Sequence, residues 1–118
     1  MVILEKRKII RINTPMENNF FNNKEDLIIF IKSILLKVEN IENFMKISPP
    51  KHIPAYQKIL GIQQKFDILN KNQKECFFPQ MVMTRGVITL FMNGRYEDAL
   101  RQLVNLKKDL IYMVKKLE

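Results

Sequence analysis

Residues 23–47 read NKEDLIIFIKSILLKVENIENFMKI. Leu27, Ile31, Ile34, Val38, Ile41 and Met45 recur at steps of four and three, the spacing that lines apolar side chains along one side of an α-helix. Asn22 or Asn23 supplies a capping side chain. Glu25 and Asp26 fall in the first turn, where the positive end of the helix dipole favours carboxylates. Ile28, Phe30 and Leu35 add a second apolar row, so this helix has neighbours on more than one side. Ser48-Pro49-Pro50 stops it, because a residue before proline avoids the α region.

Working outward, three more helices follow. The second covers about 54–69, with Pro54 in the first turn, where a missing N–H costs nothing. Its apolar face is Tyr56, Ile59, Leu60, Ile62, Phe66 and Leu69. Gly61 either weakens it or permits a close helix contact. Polar residues 70–75 read as a connector. The third helix covers about 79–92 and ends at Asn93-Gly94, with Gly94 as a left-handed cap. The fourth covers about 95–117. Glu97 and Asp98 sit at its start, and Lys107, Lys108, Lys115 and Lys116 load its C-terminal half as the dipole prefers. The short connection makes the last two helices antiparallel neighbours.

Upstream, residues 1–22 form an arm and loop. Val2, Leu4, Ile9, Ile10 and Ile12 alternate loosely with charged residues, a strand-like composition. Phe20-Phe21, in an Asn-rich stretch, would staple the arm to the helices or dock on a partner. The expected architecture is all-α: a four-helix, bundle-like single domain over 23–118 with an extended or strand-like N-terminal arm. Leu90, Gly94, Tyr96, Ala99, Leu103 and Leu106 resemble the hinge and second helix of one tetratricopeptide-type unit, and also the hairpin of microtubule-interacting-and-trafficking domains. The match spans about 35 residues, is not repeated, and implies a tight helical hairpin without a family function.

Composition narrows the function. The 118 residues carry 3 Gly, 5 Pro, one Cys and one His. One cysteine builds neither a disulfide framework nor a multi-cysteine zinc site, so no cofactor and no metal are expected. The longest apolar run, Leu27 to Ile31, is far below the roughly 20 residues that span a bilayer. No signal-peptide pattern opens the chain. The expectation is a soluble cytoplasmic or nuclear protein that is neither secreted nor inserted in a membrane.

Catalytic constellations are sparse. His52 reads as a loop histidine and Cys76, beside Phe77-Phe78, as a buried inert thiol. An enzyme would need the two together as base and nucleophile. Glu25-Asp26 and Glu97-Asp98 are adjacent residues pointing about 100° apart, so the dipole explains them without catalysis. Glu39 and Glu42 share a helix face with nothing to complete a metal site. The expectation is therefore a chain without enzymatic activity.

The charge is the remaining signal: a net +8 and a pI near 9.7. Residues 23–47 are neutral, 1–22 carry +2, 48–78 carry +3 and 79–118 carry +3. Lys51, Lys58 and Lys65 recur every seven residues, along one stripe of a helix. Arg85, Arg95 and Arg101 read as a second cluster around the last hairpin. Arg85 is the one charge on its helix, and suits either a phosphate or a buried ion pair with Glu97 or Asp98. These six residues are the candidate contacts to a DNA or RNA backbone, which gives salt-dependent, weakly selective binding. The reading is a small basic helical subunit or adaptor of a nucleic-acid-associated complex. Its alternative is an interaction bundle with no nucleic-acid role: a homodimeric scaffold, or a viral or host-interaction factor. Met81, Met83 and Met92 on one helix suit a partner helix, although core filling is the commoner use of methionine.

Overall fold

The computed structural model describes Phe21 and residues 23–73 and 77–118. The arm read as strand-like from its composition, and Cys76, lie outside them. Among the described residues there are four helices and no strand. Helix α1 runs Lys24–Lys46, with the Asn23 side-chain oxygen accepting from the Asp26 N–H at 2.9 Å. The cap and the acidic first turn are those read from the sequence.

Helix α2, His52–Gln73, is longer at both ends than 54–69. At its start Pro54 still falls within the first turn, where no N–H is used inside the helix. At its end the polar run from Asn70 contains no proline or glycine, so it continues the helix instead of breaking it. The Asn70 side-chain Oδ1 accepts from the Phe77 N–H at 2.8 Å and fixes the entry to the next helix. Helix α3 runs Phe78–Met92, with Pro79 in its first turn. Helix α4 runs Tyr96–Leu117.

Between α3 and α4, Gly94 has φ +71°, the left-handed region. The Gly94 N–H donates to Phe91 O at 3.0 Å and the Arg95 N–H to Leu90 O at 2.9 Å. This pair of bonds satisfies carbonyls that the end of α3 leaves free, and it turns the chain straight into α4. Gly61 is different: a Cβ there would meet nothing within 4 Å, so it serves no close helix contact.

Helix α1 packs on α2 and α4, α3 packs on α2 and α4, and the diagonal pairs make no close backbone approach. The four helices therefore surround one core in chain order, alternating in direction because the connections are short. Ile31, Ile34, Val38 and Ile41 of α1 face Ile59, Ile62 and Phe66 of α2, Val87 of α3, and Leu103, Leu106 and Leu110 of α4, all fully buried. Phe20 lies outside the described residues, and Phe21 is buried against the helices. Its ring lies 5.4 Å from Phe30, which lies 5.6 Å from Phe77, itself stacked on Phe66 at 5.5 Å. Among the described residues, no helix is long and apolar enough to cross a membrane.

Candidate functional site

A seven-residue repeat places side chains at nearly the same angle on a helix, two turns apart. Lys51 stands directly before α2, its backbone N–H donating to Phe44 O of α1 at 2.8 Å. Lys58 and Lys65 follow along α2. All three side chains are exposed. Among the described residues none of the three has a carboxylate partner. The stripe covers about 21 Å, at 1.5 Å of rise per residue.

A fourth lysine joins this seam from the other helix. Phe30, Lys37 and Phe44 are also seven apart. Phe30 meets Phe77, which stacks on Phe66 of α2, and the Phe44 carbonyl holds Lys51. Lys37 therefore lies on the α2 side of α1, half-buried and with no ion pair among the described residues. Along that side of α1 the neighbours are Ser33, Asn40 and Ile41, with no carboxylate. The signal was present in the sequence as a second heptad, hidden because residues 23–47 are neutral overall.

The arginines are placed differently. Arg85 does not meet Glu97 or Asp98. It is exposed and pairs with Asp67 of α2 at 3.3 Å, an oxygen that also accepts from Gln63 at 3.0 Å. The reason is direction: Arg85 projects from the α2 side of α3, and α4 lies on the other side. Arg95 and Arg101 do come together, both on Asp98. The Arg101 guanidinium, and then that of Arg95, hold the Asp98 carboxyl below the usual aspartate range. The three arginines thus occupy two separate ion-pair settings. All three keep exposed guanidinium groups, but each already has an anion beside it.

One buried charge is structural. Glu42 of α1 is buried and accepts from Lys46 and from Lys107 of α4, both at 2.7 Å. These hydrogen bonds, Lys107 first, outweigh burial and hold the Glu42 carboxyl below its ordinary value. Lys107, read as a dipole complement, is a cross-helix tie. Glu39 is exposed, and among the described residues no three His, Cys, Asp or Glu side chains could hold a metal.

His52 is not a loop residue. It opens α2, half-buried, its ring stacked on Tyr96 at 3.7 Å and 12°. Phe91 stands edge-on to both rings and to Tyr56. These rings floor an apolar groove of about 410 Å³ at one end of the bundle. Ile53 and Met92 stand at its edge, 74% and 71% exposed. The contact of His52 with Tyr96 joins residues 44 apart, a pairing that no local spacing announces.

Comparison with protein-family models, with curated proteins and with solved structures finds no match to this chain.

Proposed function

We propose that the chain is a non-enzymatic helical adaptor that holds a DNA or RNA backbone along the seam between α1 and α2. The supporting observation is the lysine set Lys37, Lys51, Lys58 and Lys65: four ammonium groups on one seam, without carboxylate partners among the described residues. A salt-bridged cation must give up its partner before it can neutralise a phosphate; these four need not. Their attraction to a polyanion is electrostatic and largely indifferent to sequence. Arg85, Arg95 and Arg101 become secondary contacts, because Asp67 and Asp98 compete for them.

The test is fluorescence anisotropy with labelled random 20-nucleotide single strands, duplex and RNA. With three to four phosphates neutralised, the log–log salt slope should be roughly −2 to −4, so affinity falls about 20- to 200-fold between 50 and 200 mM salt. Lys51→Gln with Lys58→Gln and Lys65→Gln should flatten the slope by about 2 to 3, while Arg95→Gln with Arg101→Gln moves affinity less than about threefold. Absence of binding at 50 mM salt, or a lysine triple variant that binds like the original, sinks the proposal.

A second reading, an interaction bundle with no nucleic-acid role, draws on a different observation: the exposure of the large apolar side chains of Ile53 and Met92.

A further inference from the structure

Helix α4 carries three cations that no ion pair engages. Lys108, Lys115 and Lys116 are exposed, and among the described residues none has a carboxylate partner. Lys108, Tyr112 and Lys116 recur every four residues, so they form one row on the outer side of the helix, about 12 Å long. Lys115 is three residues from Tyr112 and borders the same row. Tyr112 is 59% exposed, and the Lys116 ammonium stands 5.5 Å from its ring centroid. The nearby carboxylates are engaged with other helices: Asp109 accepts from Gln80 of α3, and Glu118 pairs with Lys32 of α1. The helix dipole favours cations only in the last turn. It accounts for Lys115 and Lys116, but not for Lys108, nine residues before the end of α4, nor for an exposed ring among lysines. The rings of the core and of the groove pack on one another, whereas Tyr112 has an ammonium beside it.

We infer that this row binds an unpaired nucleotide of a DNA or RNA single strand, with the base stacked on Tyr112 and the adjoining phosphates on Lys108, Lys115 and Lys116. A single strand offers the complement of an exposed ring framed by cations: a flat π-face next to a negative charge. Lys116 already holds its charge beside the ring, so a phosphate bound there brings its base to Tyr112. Every base has a π-face, so the stacking is tolerant of sequence. A duplex gains no stacking here, because its base faces are covered by their neighbours until a base is flipped out. An anionic membrane is disfavoured. A helix that lies on a bilayer sinks an apolar face into it, and the apolar line of α4, with Leu103, Leu106 and Leu110, is buried in the core. The row is also distinct from the lysine seam. Helix α4 stands diagonal to α2 in the bundle, and the row uses none of the four seam lysines. It therefore acts whether or not the seam holds a polyanion.

Fluorescence of the full chain tests this. The sequence has no tryptophan, so Tyr112→Trp places a single indole at the site. It is made in a chain that also carries Lys51→Gln, Lys58→Gln and Lys65→Gln, which removes most of the seam's charge. Oligo(dT) and oligo(U) strands of about eight nucleotides should each quench the indole by about a third or more, saturably, at about 50 mM salt. Quenching by one of the two strands alone supports the site and identifies the sugar it takes. A duplex of the same length, or phosphatidylserine vesicles, should leave the emission unchanged. In the same seam-reduced background, Tyr112→Leu should weaken binding of a labelled strand at least about fivefold by anisotropy, while Tyr112→Phe changes it less than about twofold. Both should keep the helical circular dichroism spectrum, since the ring is solvent-facing. Lys108→Gln with Lys116→Gln should flatten the salt slope by about 1.4, at roughly 0.7 for each single-strand phosphate. Strand binding without quenching, Tyr112→Leu that binds as tightly as tyrosine, a duplex or vesicle that quenches as strongly as the strands, or no strand binding at all overturns the inference.

Discussion

Replacing Glu42 by glutamine tests the reading of the buried charges. The side chain is 10% exposed and bonds to Lys107, itself 24% exposed, and to Lys46, 56% exposed. Hydrogen bonds to charged groups contribute about 1.5–3 kcal/mol when shielded from water. The Lys107 bond falls near the lower end of that range, since its ammonium retains some solvent. The Lys46 bond is an i,i+4 surface pair and contributes about 0.3–0.5 kcal/mol. Glutamine keeps an accepting oxygen but not the charge, so Glu42→Gln should cost about 1–2 kcal/mol. For a domain of this size that lowers the melting temperature by about 4–15 °C. The charge also sets a pH signature. A carboxyl held below its ordinary value in the folded state binds protons less readily than when unfolded. Its stabilisation is thus fully present above the ordinary glutamate range, near pH 4.3, and fades as pH falls through the lowered folded value. Urea unfolding of both proteins at pH 7 and pH 3 reads this directly. The difference should be largest at pH 7 and shrink by pH 3. Double-mutant cycles should give a Glu42–Lys107 coupling of about 1–1.5 kcal/mol and a Glu42–Lys46 coupling of about 0.3–0.5 kcal/mol. A Glu42→Gln penalty that is the same at both pH values, or a larger coupling to Lys46 than to Lys107, would refute the argument.

The glycines separate cleanly by local conformation. Gly61→Ala should raise stability by about 0.5–1 kcal/mol in thermal unfolding, because the added methyl meets nothing within 4 Å and the helix interior favours alanine. Gly94→Ala should lower it by about 1–2 kcal/mol, since φ +71° is strained for any Cβ, with Gly94→Asn milder. Phe77→Ala should cost about 3–5 kcal/mol in urea titration, because the ring is fully buried between Phe30 and Phe66. Loss below about 1 kcal/mol there would mean the phenylalanine cluster does not tie the entrance of α3 to the core.

The helices with one clean apolar stripe were legible. Helix α1 was readable from its step pattern, its cap and its prolines, and α4 from a stripe that faces one core. Helix α2 was under-read at both ends, because exposed polar residues such as Lys71 continue a helix as readily as they end it. The lysine stripe needed only the heptad arithmetic. The arginine cluster could not be read, because ion-pair choice depends on which neighbour a side chain faces. Arg85 lies closer in sequence to Glu97 and Asp98 than to Asp67, yet Asp67 is its partner across the α2/α3 seam. Similarly, the stack of His52 on Tyr96 depends on two helix starts arriving at the same end of the bundle.

Helix α2 is the element where these threads meet. A two-sided amphipathic helix needs one apolar stripe, but α2 divides its circumference into three. One line holds Ala55, Ile59, Ile62, Phe66 and Leu69 in the core. A second, on the α1 flank, holds Lys51, Lys58 and Lys65. The third, on the α3 flank, holds Ile53, Tyr56 and Leu60 around the groove. Burial alone accounts for the first line. It does not account for an exposed isoleucine at position 53, or for three evenly spaced lysines without carboxylate partners among the described residues. Lys71 is the exposed cation of α2 that falls outside the lysine stripe, on the side of Asp67 and Ile53. Under the proposed function a polyanion engages the lysine flank of α2 and leaves the aromatic groove on the other flank untouched.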